Sequence, residues 1–508
     1  MTTATTAELP LATENLTQSP AEVAVQPRSR LHSLDVFRGI TIAFMLLVNN
    51  PGPGEAYAPL DHAQWHGWTP TDLVFPFFLF IVGVAIPFSF AKRKADPNQR
   101  RLGLLGHIWT RALALVVLGE LLHAMPGLWR ALPDGLKTLK VLHTLTYLIV
   151  YGGILTLLIP WPWKRVTNWA PPILAVVFTL LMLAIFYANR HAVNAGFNIR
   201  DLGRGVYRPD NFRIPGVLER IGICYGFAAT IALFFGWRMI LVWAVALMAL
   251  YAALIYKVPF EGHTTGSLSM KDNLARSIDV AVFDRYEKQP DGSMKLVQKH
   301  TYGPYPDNEG LLSTIPSIAT PLIGILIGMW LMSSRPPVER CAAMLAWGVP
   351  VTILGCCLDS WLMPINKNLW TPSFVVFTAG MAMLGLGFLL WVVDVRGKRW
   401  WAIPFTIFGV NAIAAYAAQS IVPHVMGMIH VTNPREPGGE KIGLLSYLEH
   451  GAVNGLHNLN AWTHAHHMGW LGTLDVPGNT SIVGSMVFIL ICLLLMSILY
   501  VCKVFVKV

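Results

Sequence analysis

The chain has 508 residues, of which 54% are hydrophobic and only 13% are charged. Soluble globular domains carry about 25% charged residues, so this composition excludes a soluble enzyme, a DNA-binding protein and a secreted disulfide scaffold as descriptions of the whole chain. The formal net charge of +10 does not indicate a nucleic-acid partner, because no basic stretch alternates with aromatic residues in a soluble module. Membrane proteins instead concentrate Lys and Arg in their cytoplasmic connections.

Apolar runs of about 20 residues recur from Leu34 onward, and each is long enough to cross a bilayer core of about 30 Å. Residues 1–33 are rich in Thr, Ala, Pro and Glu without periodicity, which predicts a disordered cytoplasmic tail. For residues 34–508 we predict an all-α fold, a polytopic transmembrane helical bundle of about 12 spans with both termini in the cytoplasm. The predicted spans are roughly 34–50, 71–90, 104–124, 139–160, 171–189, 216–236, 239–256, 311–332, 342–363, 370–393, 402–426 and 480–502.

Basic residues in the short connections predict the orientation of this bundle. They cluster after the second, fourth, eighth and tenth spans, which places these connections in the cytoplasm. The first connection, 51–70, has no Lys or Arg and falls on the outer side, whereas residues 190–213 carry five Arg on that same side and argue against the assignment. Two long outer loops, near 257–310 and 427–479, exceed the usual length of structureless connections and favour a functional surface.

Polar side chains are dense around the first outer connection, where two Asn, two Asp and two His lie within 24 residues. A histidine is suited to removing a proton from an amine or hydroxyl at neutral pH, which makes His62 a candidate base. Asn49, at the outer end of the first span, is suited to donating a hydrogen bond to a carbonyl that develops negative charge. Asp72 opens the second span, where capping the helix is the simpler interpretation.

Charged residues also occur inside the apolar spans, among them Arg111, Glu120 and the pair Glu219 and Arg220. Such residues pair with each other or face a cavity, so a structural ion pair and a polar channel fit equally well. The histidines of the last outer loop lack a Cys or acidic partner at zinc-ligand spacing, and we predict no metal site.

The inner border of the first span carries Asp35 and Arg38. An arginine at this position is most often a topology anchor. It is equally suited to binding a phosphate group of a cytosolic cofactor.

A set of ordered motifs between residues 34 and 420 carries the most specific signal in the sequence. The motifs are LDVFRG at 34–39 with Asn49, the block from His62 to Pro76, RIPGVL at 213–218 with Arg220, EGLL at 309–312, NKNLW at 366–370, VVDV at 392–395, and Asn411 with Tyr416. Together they resemble the heparan-α-glucosaminide N-acetyltransferases and their bacterial membrane relatives, within the transmembrane acyltransferase group.

The resemblance implies a membrane enzyme that moves acetyl from cytosolic acetyl-CoA to the amino group of glucosamine or an amino-sugar fragment on the outer face. It implies that His62 is the catalytic base and that Asn49 is its partner. It further implies acetyl-CoA as co-substrate and a homodimer. The lack of a secretory signal and the position of the first span favour an integral protein of a bacterial inner membrane. The remaining site residues implied are Trp65, Asp72, Arg213, Arg220, Glu309, Lys367 and Asn411 for the substrate, and Asp35 and Arg38 for acetyl-CoA.

Three departures from the family bear on the acceptor. We expect the lumenal domain and first helix of the animal enzyme to be lacking, with the chain starting inside. A further helix pair is inserted near 139–189, and the last outer loop is longer than in the family.

Two questions of function stay open at this stage. Direct transfer and an acetyl-histidine intermediate on His62 both fit the residues, and a hydroxyl acceptor would use the same base. A membrane transporter of amino sugars is the competing function, because polar residues inside spans suit it equally. The lack of a convincing inverted repeat argues against a transporter.

Overall fold

Helices make up nearly all the regular structure of the residues that the structure describes. The computed structural model describes residues 31–94, 101–131, 216–260, 264–283, 285–288, 294–297, 309–432, 441–466 and 473–506. Its helices are α1 His32–Asn49, α2 Val74–Lys94, α3 Arg101–Ala131, α4 Val217–Phe234, α5 Trp237–Lys257, α6 Leu274–Phe283, α7 Leu311–Ser317, α8 Ala319–Leu331, α9 Pro337–Trp361, α10 Pro372–Leu389, α11 Ile403–Val410, α12 Ala412–Met428, α13 Leu444–Ala465 and α14 Pro477–Val501. Shorter helical turns span Ala58–Leu60, Pro70–Leu73, Leu390–Val395 and Trp400–Ala402.

Eight helices in the described residues are long and apolar enough to cross a membrane, or nine when α11 and α12, which meet at 75°, count as one bent span. This confirms an all-α integral membrane protein. Helix α1 is not among the eight, since its first turns carry Asp35 and Arg38. The predicted spans 139–160 and 171–189 lie outside the described residues, so the total of about 12 spans and the cytoplasmic termini stay predictions.

Both predicted outer loops contain regular structure. The first includes α6 and an antiparallel pair, β1 Arg285–Lys288 with β2 Met294–Val297, in which Arg285 lies opposite Val297. The second includes the pair β3 His430–Thr432 with β4 Lys441–Gly443 and the 22-residue helix α13. Helix α13 packs on α12 and α14, and α6 contacts α7, so parts of both predicted loops are folded against neighbouring helices.

Small residues let the membrane helices approach closely, as is usual where lipid supplies no hydrophobic drive between helices. Where α2 meets α8, a Cβ added to Gly83 would lie 2.1 Å from the carbonyl oxygen of Pro321. Where α1 meets α11, a Cβ added to Gly39 would lie 1.7 Å from the carbonyl oxygen of Phe405. Backbone contact at these two crossings fixes α1 and α2, the helices on either side of the first connection.

The first connection is tied to the beginning of α14. The backbone N–H of Gly52 donates to the carbonyl oxygen of Ser481 at 3.1 Å. The hydroxyl of Tyr57 donates to Asn479 Oδ1 at 2.9 Å. Two attachment points therefore hold the segment that leads from α1 to His62, before the chain enters the turn Pro70–Leu73 and α2.

Candidate active site

His62 and Asp72 form a hydrogen-bonded pair just before the beginning of α2. His62 Nδ1 lies 2.7 Å from Asp72 Oδ1, and the histidine side chain is 47% exposed while that of the aspartate is 2% exposed. An ionised carboxylate only accepts hydrogen bonds, so this contact places the ring proton on Nδ1. Nε2 then keeps its lone pair, which is the state that a general base requires.

The local sequence explains why Asp72 is fixed in place. Thr69 and Asp72 form a capping box around the turn that starts α2, with Pro70 at its first position. The backbone N–H groups of Ala63 and Thr69 donate to Asp72 Oδ2 at 3.1 and 3.0 Å. Asp72 therefore caps the helix with one carboxylate oxygen and binds His62 with the other.

Lys367 joins this pair from a loop 305 residues further along the chain. Its Nζ lies 3.1 Å from Nδ1 and 3.4 Å from Nε2 of His62, and 3.4 Å from Asp72 Oδ1. Burial lowers the pKa of Lys367, and the negative charges of Asp72 and Glu309 oppose that change. Asp72, Lys367 and Glu309 thus form a buried charged group behind a half-exposed histidine.

Asn366 holds the Lys367 loop against the His62 segment, although it is not among the residues that the sequence predicts for the site. Its side chain is buried, donates from Nδ2 to the carbonyl oxygen of Trp65 at 2.8 Å and accepts at Oδ1 from the N–H of Leu369 at 2.9 Å. Trp65 in turn donates from Nε1 to the carbonyl oxygen of Leu268 at 2.9 Å. The only sequence signal for Asn366 is its place in the NKNLW motif.

His66 lies on the other side of the same amide, with Nδ1 3.4 Å from Asn366 Nδ2. Burial lowers the pKa of His66, and the charge of Asp359 opposes this change. His66 is therefore a second imidazole near the site. Its neighbour is the neutral amide of Asn366, whereas the neighbour of His62 is the carboxylate of Asp72.

Arg220 and Trp370 lie in the wall of the bundle next to this loop. Arg220 is fully buried, donates from Nη2 to the carbonyl oxygen of Gly310 at 2.9 Å and lies with Cζ 5.3 Å from the ring centroid of Trp370. Trp370 has a φ of 50°, which is uncommon for a bulky residue, and its ring packs edge-on against Phe75 and Phe374. Arg220 thus holds the segments after Glu309 and Lys367 in place.

Asp35 and Arg38 lie at the opposite end of α1. Arg38 Nη1 donates to Asp35 Oδ1 at 3.3 Å and to the carbonyl oxygen of Gly409 at 3.2 Å. Helix α1 has 18 residues and is about 27 Å long at about 1.5 Å per residue. These two residues are therefore far from Asn49 and from the connection that carries His62.

The structure separates Asn411 from His62 and leaves Asn49 without a bond to it. Asn411 is fully buried at the break between α11 and α12, where Nδ2 donates to the carbonyl oxygen of Val504 and Oδ1 accepts from the N–H of Val506. It follows Gly409 and so lies at the Arg38 end. Asn49 is exposed as the last residue of α1, and within the described residues it makes no hydrogen bond to His62.

Two predicted features lie beyond what the structure places. Arg213 is outside the described residues. Among those that are described, no group of three or more His, Cys, Asp or Glu side chains is arranged to hold a metal ion, and the absence of a metal stays a prediction.

Comparison with known proteins bears directly on this site. The family model for the catalytic region of heparan-alpha-glucosaminide N-acetyltransferase matches residues 30–209, a range that contains Asn49, His62 and Asp72. The chain is similar to this family over that range. It is 25% identical over 437 residues to the heparan-alpha-glucosaminide N-acetyltransferase of Homo sapiens, covering 77% of the chain and 53% of that protein. For the protein of the same name from Mus musculus, the identity is 25% over 435 residues, covering 78% and 54%.

The match confirms the resemblance predicted from the motifs and supports the predicted acyltransferase class. The chain spans about half the length of the curated relatives it matches. Lys367 and Asn366 lie beyond the range that the family model matches. The contact of Lys367 with His62 and that of Asn366 with Trp65 result from the tertiary structure.

Proposed function

We propose that the chain is a transmembrane acetyltransferase. In this proposal it transfers the acetyl group of cytosolic acetyl-CoA to the amino group of glucosamine or an amino-sugar fragment on the outer, periplasmic face of a bacterial inner membrane. The observation that carries the proposal is the bond between His62 and Asp72, because it gives an accessible imidazole the tautomer of a general base. The name of the matched family supports the type of transfer.

In the proposed reaction, the nitrogen of the acceptor amine bonds to the carbonyl carbon of the thioester. As this bond forms, His62 Nε2 takes a proton from that nitrogen. When the tetrahedral intermediate collapses, the carbon–sulfur bond breaks and the thiolate receives that proton from His62. Asp72 stabilises the imidazolium that exists between these two proton transfers, as the carboxylate does in a catalytic triad. General-base catalysis of this kind contributes about 10²–10⁴-fold to the rate.

Asn49 is proposed to stabilise the oxyanion of the intermediate. It ends α1 at the border of the connection that carries His62, and its side chain is exposed. The amide of an asparagine donates hydrogen bonds suited to a developing negative oxygen. In this role it would contact the acetyl group, whereas Trp65, Glu309 and Lys367 would line the acceptor side.

The donor is proposed to bind with its nucleotide at the Arg38 end of the bundle. Arg38 is 24% exposed there, and Arg399 is 53% exposed and 3.9 Å from Asp394. The N–H of Ser33, at the beginning of α1, also donates to Asp394. Arg399, next to Asp394, therefore lies at the same end of the bundle as Arg38. Two partly exposed guanidinium groups fit a phosphorylated ligand, because their planar donors match phosphate oxygens.

The proposal is tested with purified protein in liposomes, with acetyl-CoA on one side and glucosamine on the other. Thiol release and N-acetylglucosamine formation are followed for the native chain, His62→Ala, and His450→Ala as a matched control on α13. We expect His62→Ala to lose about 10²–10⁴-fold in rate and His450→Ala to keep the native rate. Absence of thiol release with any amino sugar, together with sugar accumulation inside the vesicles, would instead show a transporter.

The same preparation separates the two chemical routes. In direct transfer, labelled acetyl-CoA leaves no label on the protein when the acceptor is omitted. Label trapped on His62 under those conditions would instead establish an acetyl-histidine intermediate. Cross-linking and mass measurement of the purified protein test the proposed homodimer.

A further inference from the structure

The ammonium group of Lys367 lies against the face of the His62 ring. Its Nζ is 3.1 Å from Nδ1 and 3.4 Å from Nε2. A position in the ring plane at nearly equal distance from both nitrogens would overlap a ring carbon, so Nζ must lie above the plane. The lone pair of Nε2 lies in the ring plane, and Lys367 therefore does not occupy the position from which a proton would arrive.

One carboxylate serves both basic side chains. Asp72 Oδ1 is 2.7 Å from His62 Nδ1 and 3.4 Å from Lys367 Nζ. Glu309 adds a second negative charge that acts on Lys367. The negative charges of Asp72 and Glu309 favour the charged form of Lys367 and oppose the effect of its burial. A second full positive charge on His62 would face that ammonium at van der Waals distance.

The other titratable groups near His62 in the described residues are Asp61 and His66. Asp61 precedes His62 in the chain, and its side chain accepts the backbone N–H of His62 at 2.8 Å on the exposed surface. His66 approaches the amide of Asn366 instead. Asp72 and Lys367 are therefore the two charged groups in direct contact with the ring, and they act on it in opposite directions.

We propose that Lys367 is a positioning residue that keeps His62 neutral and ready to accept a proton. Asp72 alone would favour the imidazolium, because a buried carboxylate stabilises an adjacent positive charge. The ammonium of Lys367 opposes that effect in the resting site, while its attraction to the face of the neutral ring helps to hold the ring against Asp72. After the acceptor has given up its proton, the same ammonium drives the proton from His62 to the departing thiolate.

The catalytic part of this inference rests on the proposed function, but the effect on the protonation of His62 does not. Diethyl pyrocarbonate reacts with a histidine only when its imidazole is neutral, and mass spectrometry of the His62 residue in its peptide reports the rate of modification at each pH. The series compares the native chain with Lys367→Met and Lys367→Arg. Lys257→Met, which removes an exposed lysine at the end of α5, is the matched control.

For Lys367→Met we expect the midpoint of His62 modification to move to higher pH by about one unit, the low end of the range of about 1–3 units for a nearby charge, since the ring is half exposed. Lys367→Arg and Lys257→Met should keep the native midpoint. An unchanged or lower midpoint in Lys367→Met overturns the inference. So does a Lys367→Arg midpoint equal to that of Lys367→Met, because the charge would then not be the cause.

Two further measurements keep the test decisive. If Lys367→Met fails to elute and unfold as the native protein does, Lys367→Gln provides a neutral polar side chain for the same series. Acetyl transfer measured across pH should show its acid limb displaced in the same direction as the modification midpoint. If the midpoint of His62 modification is displaced but neither the native protein nor any variant transfers acetyl, only the proposed function is refuted. If acetyl transfer occurs with the same pH profile in all variants, only the role of Lys367 is refuted.

Discussion

The substitution Asp72→Asn changes the chemistry of the site while keeping the shape of the side chain. In the native protein one carboxylate oxygen accepts from Ala63 and Thr69, and the other binds His62. The asparagine oxygen can replace the first of these, so its NH₂ group must face His62 Nδ1. An NH₂ group only donates, which forces Nδ1 to accept and moves the ring proton to Nε2.

A ring protonated at Nε2 cannot act as the base. We expect the rate of thiol release to fall by about 10²–10⁴-fold, the contribution of a general base, with little change in the apparent affinity for acetyl-CoA. The capping bonds survive in part, so the free energy of unfolding should fall by only about 1–3 kcal/mol. The assay is steady-state thiol release together with thermal unfolding of the same preparation.

Retention of more than about a tenth of the native rate in a folded Asp72→Asn variant would refute this reasoning, because general-base catalysis is worth at least about 10²-fold. Asp72→Glu supplies the control, since it keeps the charge and alters the distance. A large loss of stability with a normal rate per folded molecule would show instead that Asp72 is only a helix cap.

Two further predictions concern the fold around the site. Gly83→Ala should destabilise the protein by about 1–3 kcal/mol through overpacking, because the new Cβ would lie 2.1 Å from the carbonyl oxygen of Pro321. The control Gly106→Ala meets nothing within 4 Å and should leave the stability unchanged or raise it by up to about 1 kcal/mol, because alanine favours a helix. Thermal unfolding of both variants checks this. The hydrogen bond from His457 lowers the pKa of Asp475, so its stabilising effect is present above the ordinary Asp pKa and is lost as the pH falls through the lowered value. His457→Ala should therefore reduce the acid sensitivity of thermal unfolding, and identical pH dependence in the two proteins would contradict the assignment.

Local chemistry determined the membrane-spanning helices. In lipid, every backbone polar group must be bonded within its own segment, so an apolar run of about 20 residues specifies a helix without reference to the rest of the chain. All eight described spans coincide with predicted ones. Helix α13 was missed inside a predicted loop because Gly, Asn and His interrupt its apolar pattern, and its contacts with α12 and α14 supply the stability that its sequence does not indicate.

The sequence named both His62 and Asp72 but interpreted Asp72 as a helix cap, and the hydrogen bond between them came from the structure. The sequence by itself thus determined the helices, the polar connection and the family resemblance. The resemblance named Lys367 as a site residue, but the sequence could not show that Lys367 and Asn366 contact that connection, because contacts across about 300 residues depend on how the helices pack. Packing also decided that Asn411 lies with Arg38 at the other end of α1, although the motifs had grouped it with the substrate site.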